Sequence, residues 1–350
     1  MAFRGRFESA PAGVTFANGR VNLLGEHVDH QGGVVLPIAL PEGVAVAWGP
    51  RPDRAVRLVS LDARMGDRFP LDRPGRCGRR FADLVRGVAD VLTARGRRLP
   101  GVDLVVASDL PMRRGLASSA AYLVAVLRAF HAVSGAPAPD ARELAALVGE
   151  IERLVAGVPC GAMDPIASAL GVVGAPIRLD CASLEVERLP WPDDALVTAH
   201  DTGVERELSD TPYADRVREL EAGLGAVRAA RPGLSTLREL DPAALLEIES
   251  CVSEPARARV RHVVTEMERV RRAVDAIRAG DLDVVGGLLR ESHASLARDF
   301  AASTPAIDAL VEEVDRAPGV LGARLQGAGW GGSLVVLQRR QGPSHSIQDA

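Results

Sequence analysis

The chain has 350 residues, 42 of them basic and 46 acidic, so its net charge is −4 and it carries no basic excess that would attract nucleic acid or an anionic membrane. That length allows two domains or one large one. Every basic residue is arginine, which excludes a G-x-x-x-x-G-K phosphate loop and lysine Schiff-base chemistry.

Residues 1–13 lack the apolar core of a signal peptide, and no run is long enough to span a bilayer. A cytoplasmic location is the default expectation. Residues 19–33, GRVNLLGEHVDHQGG, then thread Val21, Leu23 and Leu24 through Arg20, Asn22, Glu26, His27, Asp29, His30 and Gln31. So many charges among apolar residues need something to serve. Two readings stay open: a buried turn presenting hydrogen-bonding groups to one polar ligand, or a charged hairpin with a glycine-rich tip. Residues 34–48 read as two apolar strands broken at Pro37 and Pro41. A short alternating strand covers 56–60, helical spacing predicts a helix over 80–95, and 101–107 is an apolar strand.

In 108–133 a strand ends, Pro111 and Gly115 shape a turn, and a helix starts near Ser118. That helix is apolar on nearly every side, so it is expected to be central and buried. Small residues at its start expose N–H groups to an anion, or Ser118 is an ordinary cap on a core helix. A helix over 139–156 carries Glu143, Glu150 and Glu152. Asp164 follows among apolar neighbours, where the residues alone favour a helix cap over a base with a shifted pKa. Strands are expected at 177–180 and 195–199, and 201–224 turns into a helix. Helices fill 242–316 with breaks at Gly280-Asp281 and Ser303-Thr304-Pro305. Residues 319–337 give strand, turn, strand, with Gly327, Gly329, Gly331 and Gly332 implying close backbone approach. The four cysteines, Cys77, Cys160, Cys181 and Cys251, form neither a zinc spacing nor a disulfide framework. A composition shift near 185–200 divides 1–190 from 191–350.

Three stretches in order, GRVNLLGEHVDHQGG, RRGLASSAA (113–121) and LQGAGWGGSLVVL, resemble the galactokinase family of the GHMP kinases. CGAMDP, ELSDTPYADRVRE and ESHASLARDF extend the likeness over roughly residues 16–337. The resemblance implies an α+β, two-lobed GHMP-kinase fold, with a ribosomal-protein-S5-domain-2-like N-terminal lobe and a ferredoxin-like C-terminal lobe. It implies an ATP- and Mg²⁺-dependent sugar 1-kinase, expected to be a monomer. Galactose is the first substrate expected; a galacturonate or arabinose 1-kinase is the alternative, and a catalytically silent sugar sensor the rival from another class.

By the same resemblance, Asp164 faces the C1 hydroxyl with Arg20 beside it. Glu26, His27, Asp29, Gly161 and Tyr213 contact the sugar. Pro111, Arg113, Arg114, Gly115, Leu116, Ala117, Ser118, Ser119 and Ala120 surround the ATP phosphates, and Ser119 and Glu152 hold Mg²⁺. Glu26 is implied to reach the C6 end of a hexose. There a carboxylate would repel a uronate by roughly 4 kcal/mol at about 4 Å and an effective dielectric near 20. The chain departs from the family pattern in several places. Arg113 and Arg114 replace loop glycines and either add charge over the phosphates or face water. Val28 and Pro165 replace threonine and glutamine, DHQGG looks like the galacturonate kinases, and the helix and strand expected after the third motif are absent, which would leave a sheet edge uncovered.

Overall fold

The computed structural model describes residues 2–111, 114–157, 161–204, 211–248 and 250–340. They pack as two compact units, and each is discontinuous along the chain. The first holds 1–20, 39–112 and 116–173; the second holds 21–38, 113–115 and 174–350. Packing therefore divides the chain differently from a single cut at 190. The 19–33 stretch gives Gly19 and Arg20 to one unit and the rest to the other.

In chain order, helix α1 (Ala2–Phe7) precedes strand β1 (Gly13–Asn22) and a 3-10 turn (Asp29–Gln31). Strands β2 (Val34–Val35), β3 (Pro37–Arg51), β4 (Ala55–Ser60) and β5 (Met65–Pro70) follow, then α2 (Arg80–Ala94), β6 (Gly101–Ser108) and α3 (Ser118–Val133). Next come α4 (Ala141–Ala156), α5 (Met163–Leu170), β7 (Ile177–Asp180), β8 (Val186–Arg188), β9 (Ala195–Asp201) and α6 (Tyr213–Ala230). The remainder is α7 (Ala244–Ile248), α8 (Ala256–Ala279), α9 (Leu282–Arg298), α10 (Pro305–Asp315), β10 (Val320–Leu325) and β11 (Ser333–Arg339). No helix among the described residues is long and apolar enough to cross a membrane.

The first unit is built on a five-stranded sheet of order β1-β3-β6-β4-β5. One expectation fails here: β3 is a single strand through Pro41. Its pairing with β6 begins only at Val44, and Pro41 is exposed, so the missing N–H is not needed on that side. Helix α3 is buried on almost every face, as its composition requires, and it packs against α5, α2 and α4.

In the second unit, β10-β11-β9 form an antiparallel sheet. Ile307 and Val311 of α10 pack with Ala323, Leu325, Leu334 and Val336 as its core. Helix α9 lies on β10 so closely that a Cβ on Gly322 would come within 2.3 Å of the Gly286 carbonyl, which only glycine permits. The expected helix breaks are observed. Gly280 closes α8 in the left-handed region, Asp281 caps α9 through the Val284 N–H, and Thr304 caps α10, with Pro305 in its first turn. A second small sheet, β2-β7-β8, is pinned by Arg238. Its guanidinium spans Asp180 with bonds of 2.7 and 2.6 Å and also donates to the Gly32 carbonyl at 2.6 Å.

Leu123 is fully buried in α3. Leu123→Ala is expected to destabilise the first unit by about 3 kcal/mol through lost transfer energy and the cavity left behind. Denaturant melts of the two proteins measure this, and a loss below about 1 kcal/mol would contradict the placement of α3 at the unit's centre.

Candidate active site

Arg20, near the end of β1, and Asp164, in the first turn of α5, meet within the first unit. Arg20 Nε and Nη2 both point at Asp164 Oδ1, at 3.0 and 2.8 Å. The arginine is buried, whereas the aspartate side chain is 27% exposed. Among the described residues nothing donates to Asp164 Oδ2, so one carboxylate oxygen is oriented by the arginine and the other is available.

The Arg20 N–H donates to the Leu116 carbonyl at 3.1 Å, which ties the loop before α3 to the same strand. Ala117 sits in the left-handed region at φ 58° and provides no side-chain cap. The first N–H groups of this 16-residue helix are therefore uncapped by side chains and suit an anion. Ser119 Oγ donates to Glu152 Oε1 on α4, and Arg80 Nη2 lies 3.5 Å from Glu152 Oε2.

A cavity of about 220 Å³ opens beside Ser118 and Ser119. Val44, Leu84, Val106 and Leu110 line it, together with Phe81 and Tyr122, whose rings stack at 5.3 Å. Burial pushes the Tyr122 hydroxyl pKa well up, so it stays neutral and donates to the Phe81 carbonyl at 3.1 Å. The sequence reading did not find this cavity. Its walls come from separate strands and helices, and the only local hint was Phe81 and Tyr122 in a chain that is 3% aromatic.

The rest of the 19–33 stretch belongs to the second unit. Residues 21–28 are all buried yet mostly irregular, so their backbone groups need partners from elsewhere. Leu23 and Leu24 exchange bonds with Leu36. Asn22 N–H donates to Gln326 Oε1 at 2.9 Å. Arg324, fully buried, donates to the Asn22 and Leu23 carbonyls. The Glu26 carbonyl accepts from His262 Nε2 at 3.2 Å, and His262 Nδ1 lies 2.9 Å from Ser295 Oγ.

Glu26 Oε1 accepts from the Gly327 N–H at 2.8 Å and lies 3.3 Å from Arg324 Nη2. Arg324 thus offsets the Glu26 charge. His27 adopts φ 62° and stacks on Phe300 with centroids 3.9 Å apart and planes 13° from parallel. Tyr213, the first residue of α6, brings its ring to 5.9 Å from His27. Asp29 opens the 3-10 turn with His30 Nδ1 3.3 Å from its carboxylate. Gly161 is half-buried backbone just before α5.

The glycines of the third motif turn as expected. Gly327, Gly329, Gly331 and Gly332 all have positive φ, and a Cβ on Gly329 would stand 2.3 Å from the Ala302 carbonyl. Arg114 is largely screened from water. Its guanidinium pairs with Asp201 at 2.7 Å and its carbonyl accepts from Ser333 Oγ at 2.8 Å. Arg113 lies outside the described residues, while Pro111 is exposed at the start of the loop and Ala120 is buried in α3.

The GHMP kinases N terminal domain matches residues 83–172, and GHMP kinases C terminal matches 273–350. The galactokinase galactose-binding signature matches 1–50. A galactokinase of Roseiflexus sp. (strain RS-1) is 37% identical over 338 residues, covering 97% of this chain and 86% of the relative. The chain belongs to the galactokinase family. A second relative, the galactokinase of Chloroflexus aggregans (strain MD-66 / DSM 9485), is 39% identical over 337 residues, 96% of this chain and 86% of its own. The crystal structure of Lactococcus lactis galactokinase complexed with galactose superimposes with a TM-score of 0.90 at 30% identity, covering 97% of this chain and 88% of that one. A mevalonate kinase structure, at 15% identity and a TM-score of 0.63 over 94% and 92% of the two chains, shares the fold alone. As a member of the galactokinase family with the GHMP-kinase fold, the chain is a sugar kinase.

His262 and Glu266 give the family fold in this chain an acid-labile centre. Burial lowers the His262 pKa to about 4, so the ring is neutral at pH 7. Between pH 4 and the ordinary histidine value of 6.5 the unfolded chain binds a proton that the folded one does not. Unfolding free energy therefore falls as pH drops through that window and is flat above it, by up to about 3 kcal/mol. Burial pushes the Glu266 carboxyl up, but Arg269, His262 and Arg324 together outweigh it and hold the pKa at about 2, below the ordinary glutamate value of 4.5. A second loss is expected between those two values. Melting temperature against pH is the measurement, and His262→Gln is expected to flatten the upper part of the decline. An unchanged slope between pH 6.5 and 4 in that variant would refute the assignment.

Proposed function

We propose that this protein transfers the γ-phosphoryl group of ATP to the C1 hydroxyl of galactose, yielding galactose 1-phosphate and ADP. The observation that carries the reading is the Arg20–Asp164 pair, tied through the Leu116 carbonyl to the uncapped start of α3. In this reading Asp164 Oδ2 accepts a hydrogen bond from the C1 hydroxyl and is the group placed to take its proton. Arg20 keeps the other oxygen occupied and the carboxylate oriented. The new bond joins O1 to the γ-phosphorus, and the bond from that phosphorus to the bridging oxygen of ADP breaks. Positioning and charge stabilisation carry most of such a transfer.

The N–H groups of the first turn of α3, with Gly115 to Ala120, are assigned to the phosphates. The purine fits the apolar cavity beside them, where Phe81 and Tyr122 offer ring faces. Glu26, His27, Asp29, Gly161 and Tyr213 are assigned to the sugar.

A divalent cation suits the chemistry of Ser119 and Glu152. Both supply hard oxygen donors already in contact, and no cluster of three acidic, histidine or cysteine side chains exists among the described residues. Such a cation would keep most of its ligands as phosphate and water, the habit of Mg²⁺. When bound it neutralises phosphate charge.

Two measurements test this. The wild-type protein with galactose and MgATP is expected to release ADP and form an anomeric phosphate detectable by ³¹P NMR. Asp164→Asn is expected to lower kcat by about a hundredfold or more while ATP affinity stays within twofold. Absence of sugar-dependent ADP release, or near-normal turnover in the variant, would sink the reading. Separately, Glu152→Gln is expected to raise the Mg²⁺ concentration for half-maximal activity and lower kcat. An unchanged Mg²⁺ requirement would return Glu152 to a structural partner of Ser119 and Arg80.

A further inference from the structure

Glu266 lies on α8, wholly buried. Its Oε1 accepts from the Gly25 N–H at 2.9 Å, from the Glu26 N–H at 3.4 Å and from Ser292 Oγ at 2.9 Å. Its Oε2 accepts from Arg269 Nε at 2.7 Å. Arg324 holds the neighbouring Asn22 and Leu23 carbonyls. One buried anion therefore takes backbone N–H groups of the 22–26 segment, and one buried cation takes its carbonyls.

We infer that Glu266 is a positioning residue of the sugar site: its carboxylate fixes the Gly25–Glu26 backbone and so the directions in which Glu26 and His27 project. The inference rests on the reading of Glu26 and His27 as sugar contacts. Several features point to position and not to stability alone. Burying an ionised group is costly, and an apolar replacement often stabilises as well or better. His27 has a positive φ of 62°, and a conformation so rarely populated by a residue with a side chain persists only where its surroundings hold it. Glu266 is ionised throughout the neutral range, because the positive groups around it, Arg269 foremost, together outweigh the effect of burial. Its carboxylate also lies at the root of the residue whose side chain reaches the Gly327 N–H, so one anchor serves both glycine-rich stretches of this unit.

The test compares Glu266→Gln, Ser292→Ala and Glu26→Ala with the wild type, measuring KM for galactose at saturating MgATP, KM for ATP at saturating galactose, kcat and melting temperature. Glu266→Gln retains an oxygen acceptor but loses the charge. It is expected to raise the galactose KM roughly tenfold with the ATP KM within twofold. Ser292→Ala removes one donor to the carboxylate and is expected to give a smaller rise of about threefold in the galactose KM alone. A purely structural role would lower the melting temperature and leave the two KM values in their wild-type ratio, which would overturn the inference. If Glu266→Gln does not fold, Ser292→Ala decides by the same ratio. If Glu26→Ala raises the galactose KM while neither of the other variants does, the positioning role fails and the sugar-contact reading stands. If Glu26→Ala leaves the galactose KM unchanged, the sugar-contact reading fails and takes this inference with it.

Discussion

The structure of the second unit depends on a backbone problem. Residues 21–28 are buried but do not continue in a strand or a helix along their whole length, and buried peptide groups must be hydrogen-bonded. The chain solves this with ionised side chains. Arg324 serves carbonyls, Glu266 serves amides, and neutral His262 serves the Glu26 carbonyl. Each charge is expensive to bury alone. Together with Glu26 and Arg269 they make a balanced set of two anions and two cations, and the low local dielectric then strengthens every bond within it. The irregular segment is thereby held in one conformation, including the left-handed His27 whose ring stacks on Phe300.

The first unit solves a simpler problem in a more regular way. Its strand β1 and helices α3 and α5 are ordinary elements, and its candidate groups sit at their ends: Arg20 near the end of the strand, Ser119 and Asp164 in first turns. Ends are where backbone groups lack internal partners, so little has to be distorted to expose them. The Arg20 N–H bond to Leu116 ties the loop to the strand, and the Arg20 side chain fixes Asp164. One residue thus connects the segment assigned to phosphate with the group assigned to the acceptor hydroxyl.

Much of this was legible in the residues. Helical spacing located α2, an all-round apolar composition located α3, and local caps marked the breaks around α9. The 19–33 stretch declared itself by charges embedded among apolar residues, and the structure bears out its burial. The partners of that stretch were not legible. Glu266 and His262 sit in a helix whose sequence, RARVRHVVTEMERV, reads as a solvated charged face. The available signal was spacing: Arg259, His262, Glu266 and Arg269 fall at steps of three and four, on the same side as Val263 and Val270, which places charges within an apolar face. Pro41 misled for the opposite reason, since a local rule about strand breaking does not reveal on which side β3 pairs. The division into units was hidden as well. Segments such as Val21–Ile38 join residues far along the chain, and composition carries no trace of that.

That long reach has a consequence for how the molecule is made. The Arg324 bond to the Leu23 carbonyl spans 301 positions. Synthesis proceeds from the N-terminus at about 5–20 residues per second, so the 21–28 segment waits roughly 15–60 s for the strand that completes it. During that interval the Asn22 and Leu23 carbonyls and the apolar side chains around them have no final partner. The second unit closes only after β10 has been made, and until then the incomplete chain is the form most exposed to proteolysis and aggregation.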